Sequence, residues 1–429
     1  MLVIGQYFPP NLGGSATRAS NIVKGLSLNG CRVTVVTAFP HYPDGKIPKE
    51  YRWKPFKVEW NGNIKIIRTF MPPIESRGLL KRIILIGFFA ISSLFAFYQI
   101  EKIDAIWSSS WIPGIIYGKM KKKPLALNVD DLMLEDLIDL KLIGDDSLVF
   151  LIAKGIFRLC LARGDIITPI SQGYIDTLSK AYLIDRSRIH TVRGGVDLNT
   201  FAPCASHQKT KSKFSVLYTG AFSVAYDFDC VLNAAKTIEG KERGVEFILQ
   251  GMGECENAIR SKIDELDLRN VKVINKVFSR EGVAQLLNQA DVLILPLKDF
   301  GKPYLGMSSK LYEYQAVGKP IICCAEGQPA EYVKSTDSGI VVSPGDYEKL
   351  AEAIIFLKEN PDEAMEMGRR GREYVKLNAS IEAIGLELRK AFEEHPVKSG
   401  FAGANSISVA NMTRMLYDSK KNDPQSRFR

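Results

Sequence analysis

Short apolar runs recur along this chain with longer helix-like stretches between them, and they do so in two series. The first series comprises residues 2–4, 32–37, 64–69, 105–108, 125–129 and 166–169; the second comprises 215–219, 246–250, 271–274, 292–296, 321–325 and 339–342. Strands of a parallel sheet are buried on both faces by crossover helices, so they read as brief continuous apolar runs and not as alternating ones. Helical stretches at about 228–238, 258–266, 282–288 and 347–358 lie between and after the runs of the second series. The pattern predicts an α/β chain of two doubly wound domains, and 429 residues suit two separate cores better than one.

The first series closes at Gly194-Gly195-Val196-Asp197, and Phe201, Pro203 and a polar stretch follow. This places a first domain over 1–197, a linker over 198–213 and a second domain over 214–375. Residues 398–429 are rich in Ser, Asn, Lys and Gly and read as a flexible tail.

Seven cysteines, at 31, 160, 204, 230, 255, 323 and 324, show no C-x-x-C spacing, and only four histidines accompany them. Neither a zinc site nor a disulfide framework is indicated, and a reducing, cytoplasmic setting fits. The chain opens inside an apolar strand with no export-signal pattern. The formal charge of +9 suits an anionic partner. No nucleic-acid motif is present, and the basic residues sit beside apolar segments, which points to a membrane face and away from nucleic acid.

The most specific segment runs from Ser308 to Pro320, S-S-K-L-Y-E-Y-Q-A-V-G-K-P, with an apolar strand directly after it. Lys310 and Glu313, three apart, share one face of a helix near its positive end, where phosphate is attracted. An ammonium can pair with a diphosphate there, and a carboxylate can accept from a ribose diol. In the first domain, Pro9 to Ser15 forms a glycine-rich turn between strand and helix. Its Gly13 and Gly14 amides can approach an anion, and Arg18 follows on the helix. A turn that merely requires glycine accounts for this stretch equally well when it is taken alone.

These residues resemble the retaining glycosyltransferases of the GT-B fold, family 4, in the branch that builds bacterial and archaeal surface polysaccharides. The resemblance covers about residues 1–390. It implies two Rossmann-like domains facing a central cleft, with a last helix, here 376–397, crossing back to the first domain. It also implies transfer of a sugar from a nucleotide-diphosphate donor, UDP-linked, to a lipid-linked or surface-glycan acceptor, with retention and without metal, cofactor or covalent nucleophile. The catalytic assignments on this reading are Lys310 and Gly14, together with Asp130, which follows a first-domain strand end facing the ligand crevice. The donor-binding set is Gly13, Gly14, Arg18, Gly220, Gly251, Gly306, Ser308, Ser309, Lys310, Leu311 and Glu313; the acceptor-side candidates, read from crevice-facing strand ends and not from the family, are His41, Asp131 and Glu135, and a structural histidine and a surface loop account for the same residues.

Two departures from the family pattern concern the donor site. Where many members carry an arginine and then a lysine for the phosphates, this chain has Gly220-Ala221-Phe222-Ser223. Where a first glutamate precedes Glu313 with seven residues between, it has Leu305. Asp227-Phe228-Asp229 spells a metal-binding D-x-D, but its place at a helix start favours capping. Two other readings stay open from sequence alone: a nonhydrolysing sugar-nucleotide epimerase with the same fold, and a membrane-bound partner that has lost catalysis.

Residues 83–98 carry no charge and four phenylalanines, and they follow Arg77, Lys81 and Arg82. The run falls short of the roughly 20 residues that span a bilayer and precedes a strand at once, so it is expected as a crossover helix lying on the cytoplasmic membrane face. Lys121, Lys122 and Lys123 are expected to reach headgroups, and residues 148–161 to extend the patch. A buried core helix or a dimer interface would account for the same composition.

Overall fold

The computed structural model describes residues 1–394 apart from 12, 43–44, 76–77, 133, 136–137, 139–143, 145–146, 205–212 and 242–243. The expected tail and most of the polar linker stretch lie outside the described residues.

The first lobe is built on β1 (Leu2–Ile4), β2 (Thr34–Ala38), β3 (Phe56–Asn61), β4 (Ile64–Thr69), β5 (Ile106–Ser108), β6 (Leu125–Val129) and β7 (Ile166–Pro169), in the order β3-β4-β2-β1-β5-β6-β7. The second has β8 (Phe214–Thr219), β9 (Val245–Gln250), β10 (Val271–Ile274), β11 (Val292–Pro296), β12 (Ile321–Cys324) and β13 (Gly339–Val342), in the order β10-β9-β8-β11-β12-β13. Every pairing is parallel except β3 with β4. The strand β3 is absent from the sequence reading. It is an edge strand in which Lys57 and Glu59 interrupt the apolar run, and it turns at Gly62 with φ of 58°. The two sheets confirm the expected α/β class of two Rossmann-like domains.

The helices of the first lobe are α1 (Gly14–Leu28), α2 (Leu79–Ser93), α3 (Trp111–Lys121), α4 (Leu148–Leu161) and α5 (Tyr174–Lys180). Those after it are α6 (Phe228–Lys241), α7 (Glu256–Glu265), α8 (Arg280–Gln289), α9 (Ser309–Ala316), α10 (Gln328–Ser335), α11 (Tyr347–Glu359), α12 (Pro361–Asn378) and α13 (Ile381–Glu394). The chain returns to the first lobe after α12. Val196 donates to Ala379 O at 2.9 Å and Ile381 donates to Val196 O at 3.1 Å, so the outgoing and returning strands of chain run side by side. Helix α13 then lies on α1 so closely that a Cβ on Gly25 would stand 2.4 Å from Ile381 O, and one on Gly385 would stand 2.2 Å from the Gly25 carbonyl carbon. Both positions need glycine for that approach. An Arg193–Glu387 ion pair fastens the same junction.

Two contacts between the lobes locate the cleft. Ser171, just after β7, donates to the carbonyl of Leu305, which follows β11. A Cβ on Gly306 would lie 2.7 Å from the Tyr174 hydroxyl. The carboxyl ends of the strands in both sheets therefore face the same space, which is where open α/β sheets bind ligands.

On the first lobe, α2, α3 and α4 lie side by side. Tyr117 of α3 donates to Ser93 O of α2 at 2.7 Å, and Trp111 of α3 meets Phe157 of α4 edge to face at 5.2 Å. Their inner faces bury Leu85, Phe89, Tyr117 and Leu161 against the sheet. Their outer faces leave Ile83, Ile86, Ile91, Phe95, Leu148, Leu151, Ile152 and Ile156 exposed. The expected short helix is longer than its charge-free run, since the helical segment Leu80–Gln99 has 20 residues and is long and apolar enough to cross a membrane. About a third of it is buried inside the lobe, and Phe89 is 1% exposed. What ties the segment to the sheet is this buried face and not its length. Lys121 is also corrected: its ammonium stacks on Phe97 at 4.0 Å and donates to Ile100 O, so it is held back against the lobe.

Candidate functional site

Helix α9 begins in the cleft. Ser308 is its N-cap without using its side chain as a cap, so the opening amides of the helix have no hydroxyl on them. Leu311 is fully buried and anchors the first turn in the second lobe's core, and Ser309 is exposed. Lys310 is half-buried. Its ammonium donates to the Tyr226 hydroxyl at 2.8 Å and stands 4.7 Å from that ring and 5.7 Å from the Tyr218 ring. No described carboxylate lies within ion-pair reach of it. The side chain crosses the Gly220 backbone, where a Cβ would come within 2.4 Å of Lys310 Cε. Gly220 also has φ of 145°, so it is required twice over. Gly251 packs against it in turn, because a Cβ there would overlap Gly220 O at 1.7 Å.

Glu313 is 9% exposed, and its Oε1 accepts from Arg280 at 2.6 Å. Arg280, at the start of α8, rests on the Phe201 ring at 4.7 Å. The carboxylate is thereby held in one orientation beside the opening turn of α9. Sequence reasoning missed both Arg280 and Tyr226, which lie 33 and 84 residues from their partners and carry no local motif. Phe222, at the position examined for a phosphate cation, is buried against Tyr218 and Phe228.

Across the cleft, Gly13 precedes α1 with φ of 107°, and a Cβ on Gly14 would meet nothing within 4 Å. Space among the described residues is therefore open beside Gly14 at the start of α1.

Arg18 departs from its expected donor role. It is 3% exposed and donates to the carbonyls of Val192 and Arg193 and to Asn128 Oδ1, with Asp130 at 3.6 Å from Nε. Desolvation lowers its pKa, and the Asp130 charge opposes that. Its guanidinium fastens the segment joining the lobes and does not reach the cleft. Asp130 is corrected with it, since its Oδ1 accepts from Asn128 at 2.7 Å and faces Arg18, which makes it an anchor and not a free catalytic carboxylate. His41 is 2% exposed; its Nδ1 lies 2.7 Å from Phe39 O, its ring stacks on Tyr7, and burial lowers its pKa. Such an imidazole supports the loop and cannot touch an acceptor. Glu135 accepts from Tyr182 at 2.9 Å. Asp131 is at the surface, where surrounding protein and then the Asp130 charge raise its pKa; of the acceptor-side candidates it is the exposed one. Asp227 caps α6, accepting from the Cys230 amide at 2.9 Å. Among the described residues no group of three or more His, Cys, Asp or Glu is placed to hold a metal ion.

Two facing Rossmann-like domains, with a helix N-terminus, a cation and a carboxylate at the cleft, are the GT-B architecture. The family comparisons narrow this. Residues 12–200 match the model described as Glycosyltransferase Family 4, and residues 204–374 match Glycosyl transferases group 1. The chain belongs to glycosyltransferase family 4, and the epimerase reading is not favoured.

Among curated relatives, a GDP-mannose-dependent monoacylated alpha-(1-6)-phosphatidylinositol monomannoside mannosyltransferase of Corynebacterium glutamicum is 24% identical over 54% of this chain and 63% of its own length. The putative colanic acid biosynthesis glycosyltransferase WcaL of Escherichia coli K12 is 26% identical over 54% and 57% respectively. The chain thus spans less than two thirds of either relative. Among solved structures, Anabaena Alr3699/HepE in complex with UDP and glucose superposes with a TM-score of 0.63 at 15% identity, over 92% of this chain and 99% of that one.

Proposed function

We propose that this enzyme transfers a sugar from a UDP-linked donor to a lipid-linked or surface-glycan acceptor, with retention and without a metal, while attached to the cytoplasmic face of a membrane. The observation that carries the donor half is Lys310, a half-buried ammonium with no acidic partner among the described residues, at the open N-terminus of α9. A buried cation without a counter-charge is costly unless an anion arrives, and a diphosphate supplies one. Charge builds on that diphosphate as the glycosidic bond breaks, so a fixed cation stabilises the transition state more than the ground state. Glu313, oriented by Arg280, is the acceptor for the ribose diol, and the Gly13 and Gly14 amides meet the donor from the opposite lobe. The GDP-mannose dependence of one relative and the UDP and glucose bound in one structural neighbour support a nucleotide sugar and leave the base to experiment.

The acceptor half rests on the outer face of α2, α3 and α4. None of these helices contains an acidic residue, while Lys81, Arg82, Lys119, Lys154 and Arg158 punctuate them. Apolar side chains ringed by cations suit an anionic bilayer surface.

Calorimetric titration with UDP and GDP, followed by mass spectrometry of reactions with a panel of nucleotide sugars and a lipid-linked acceptor, tests this reading. Lys310→Ala in a folded protein is expected to lower turnover about a hundredfold; unchanged turnover would remove the assignment.

A further inference from the structure

The partner of Lys310 is unusual for a half-buried cation. Instead of a carboxylate it has the phenol of Tyr226, at 2.8 Å. The Tyr226 ring packs edge to face on Tyr218, whose hydroxyl donates to Ala221 O at 2.6 Å. The proton direction follows from chemistry. An ammonium only donates, so the Tyr226 hydroxyl oxygen is the acceptor in its bond to Lys310.

The device is held from behind. Tyr226 meets Tyr218 at 5.2 Å, edge to face, and packs near Phe228. Its own segment bridges to Leu297, and the next residue, Asp227, donates to Pro296 O at 2.8 Å and caps α6. On the opposite side the Lys310 stem lies against the Gly220 backbone. One of the three ammonium protons is used by the phenol, which leaves two for a ligand.

We propose that Tyr226, backed by Tyr218, is a positioning residue that holds the Lys310 ammonium in the cleft without neutralising it. This rests on the reading that Lys310 meets the donor diphosphate. A carboxylate in the place of Tyr226 would orient the lysine equally well but would cancel much of its charge; a phenol fixes direction and leaves the full positive charge for phosphate.

The test is a double-mutant cycle in the full-length chain with Tyr226→Phe, Lys310→Ala and both together, read by titration with UDP and GDP and by donor turnover. Phenylalanine keeps the ring and its packing, and thermal unfolding checks that the fold is retained. Tyr226→Phe is expected to weaken binding of the preferred nucleotide and to lower turnover by about tenfold, the scale of one hydrogen bond to a charged group. It should cost nothing further in the Lys310→Ala background, because there is then no ammonium to orient. A full tenfold loss from Tyr226→Phe persisting without Lys310, or no loss at all while Lys310→Ala is crippled, overturns the positioning role and leaves the donor site standing. If Lys310→Ala itself binds both nucleotides normally, the donor-site reading fails first.

Discussion

Replacing Ile83, Ile91 and Phe95 together with serine is expected to detach this protein from lipid while leaving it folded. The three side chains are 55%, 67% and 52% exposed on the outer face of α2 and the turn that continues it. Full burial of such a side chain is worth about 1.5–3 kcal/mol, so immersing the exposed half of each supplies roughly 1 kcal/mol. Together they account for about 3 kcal/mol, or on the order of a hundredfold in partitioning. Cosedimentation with vesicles of mixed neutral and anionic lipid measures this directly, with circular dichroism as the check on folding. High salt alone should release only part of the wild-type protein, since salt screens the cations and not the apolar contact. Phe89→Ser is the contrasting control: that ring lies in the core at 1% exposure, and its loss should destabilise the fold by about 3 kcal/mol or more. A folded triple variant that still binds vesicles fully would refute the lipid assignment and make a protein interface the better account of this face.

Three further outcomes follow from named contacts. Gly220→Ala should weaken UDP or GDP binding measured by calorimetry, because its Cβ would displace Lys310 Cε from 2.4 Å and force the ammonium off Tyr226; unchanged affinity would show that the lysine's placement is immaterial. His41, buried with its pKa lowered from an ordinary 6.5, makes folding favourable above that value, and stability should fall as pH drops below it because the unfolded chain takes up the proton first. Urea unfolding between pH 7 and 5 should show a shallower decline in His41→Gln than in the wild type. Chelation should leave turnover intact, with Asp227 committed to the α6 cap; activity lost to a chelator and restored by manganese or magnesium would establish a metal role.

The α/β class and the family were legible in the sequence because both rest on local signals: apolar runs of three to six residues, and the Lys310 to Glu313 spacing within one helical turn. The strand β3 escaped because an edge strand need not be apolar on both faces. Side-chain partners escaped for a different reason. Arg18, Asp130 and His41 carry the right chemistry at the right strand ends, yet folding turns Arg18 toward the carbonyls of 192 and 193 and buries His41 beside Phe39. Whether a polar group faces a ligand or a neighbouring carbonyl depends on what lies across from it, and for Arg18 those carbonyls lie some 174 residues away. The same holds for the site's useful pairings. Sequence placed Lys310 and Glu313 on one turn, but only the tertiary structure decided that a phenol orients the lysine and an arginine orients the glutamate, since hydrogen-bond partners are set by proximity in space.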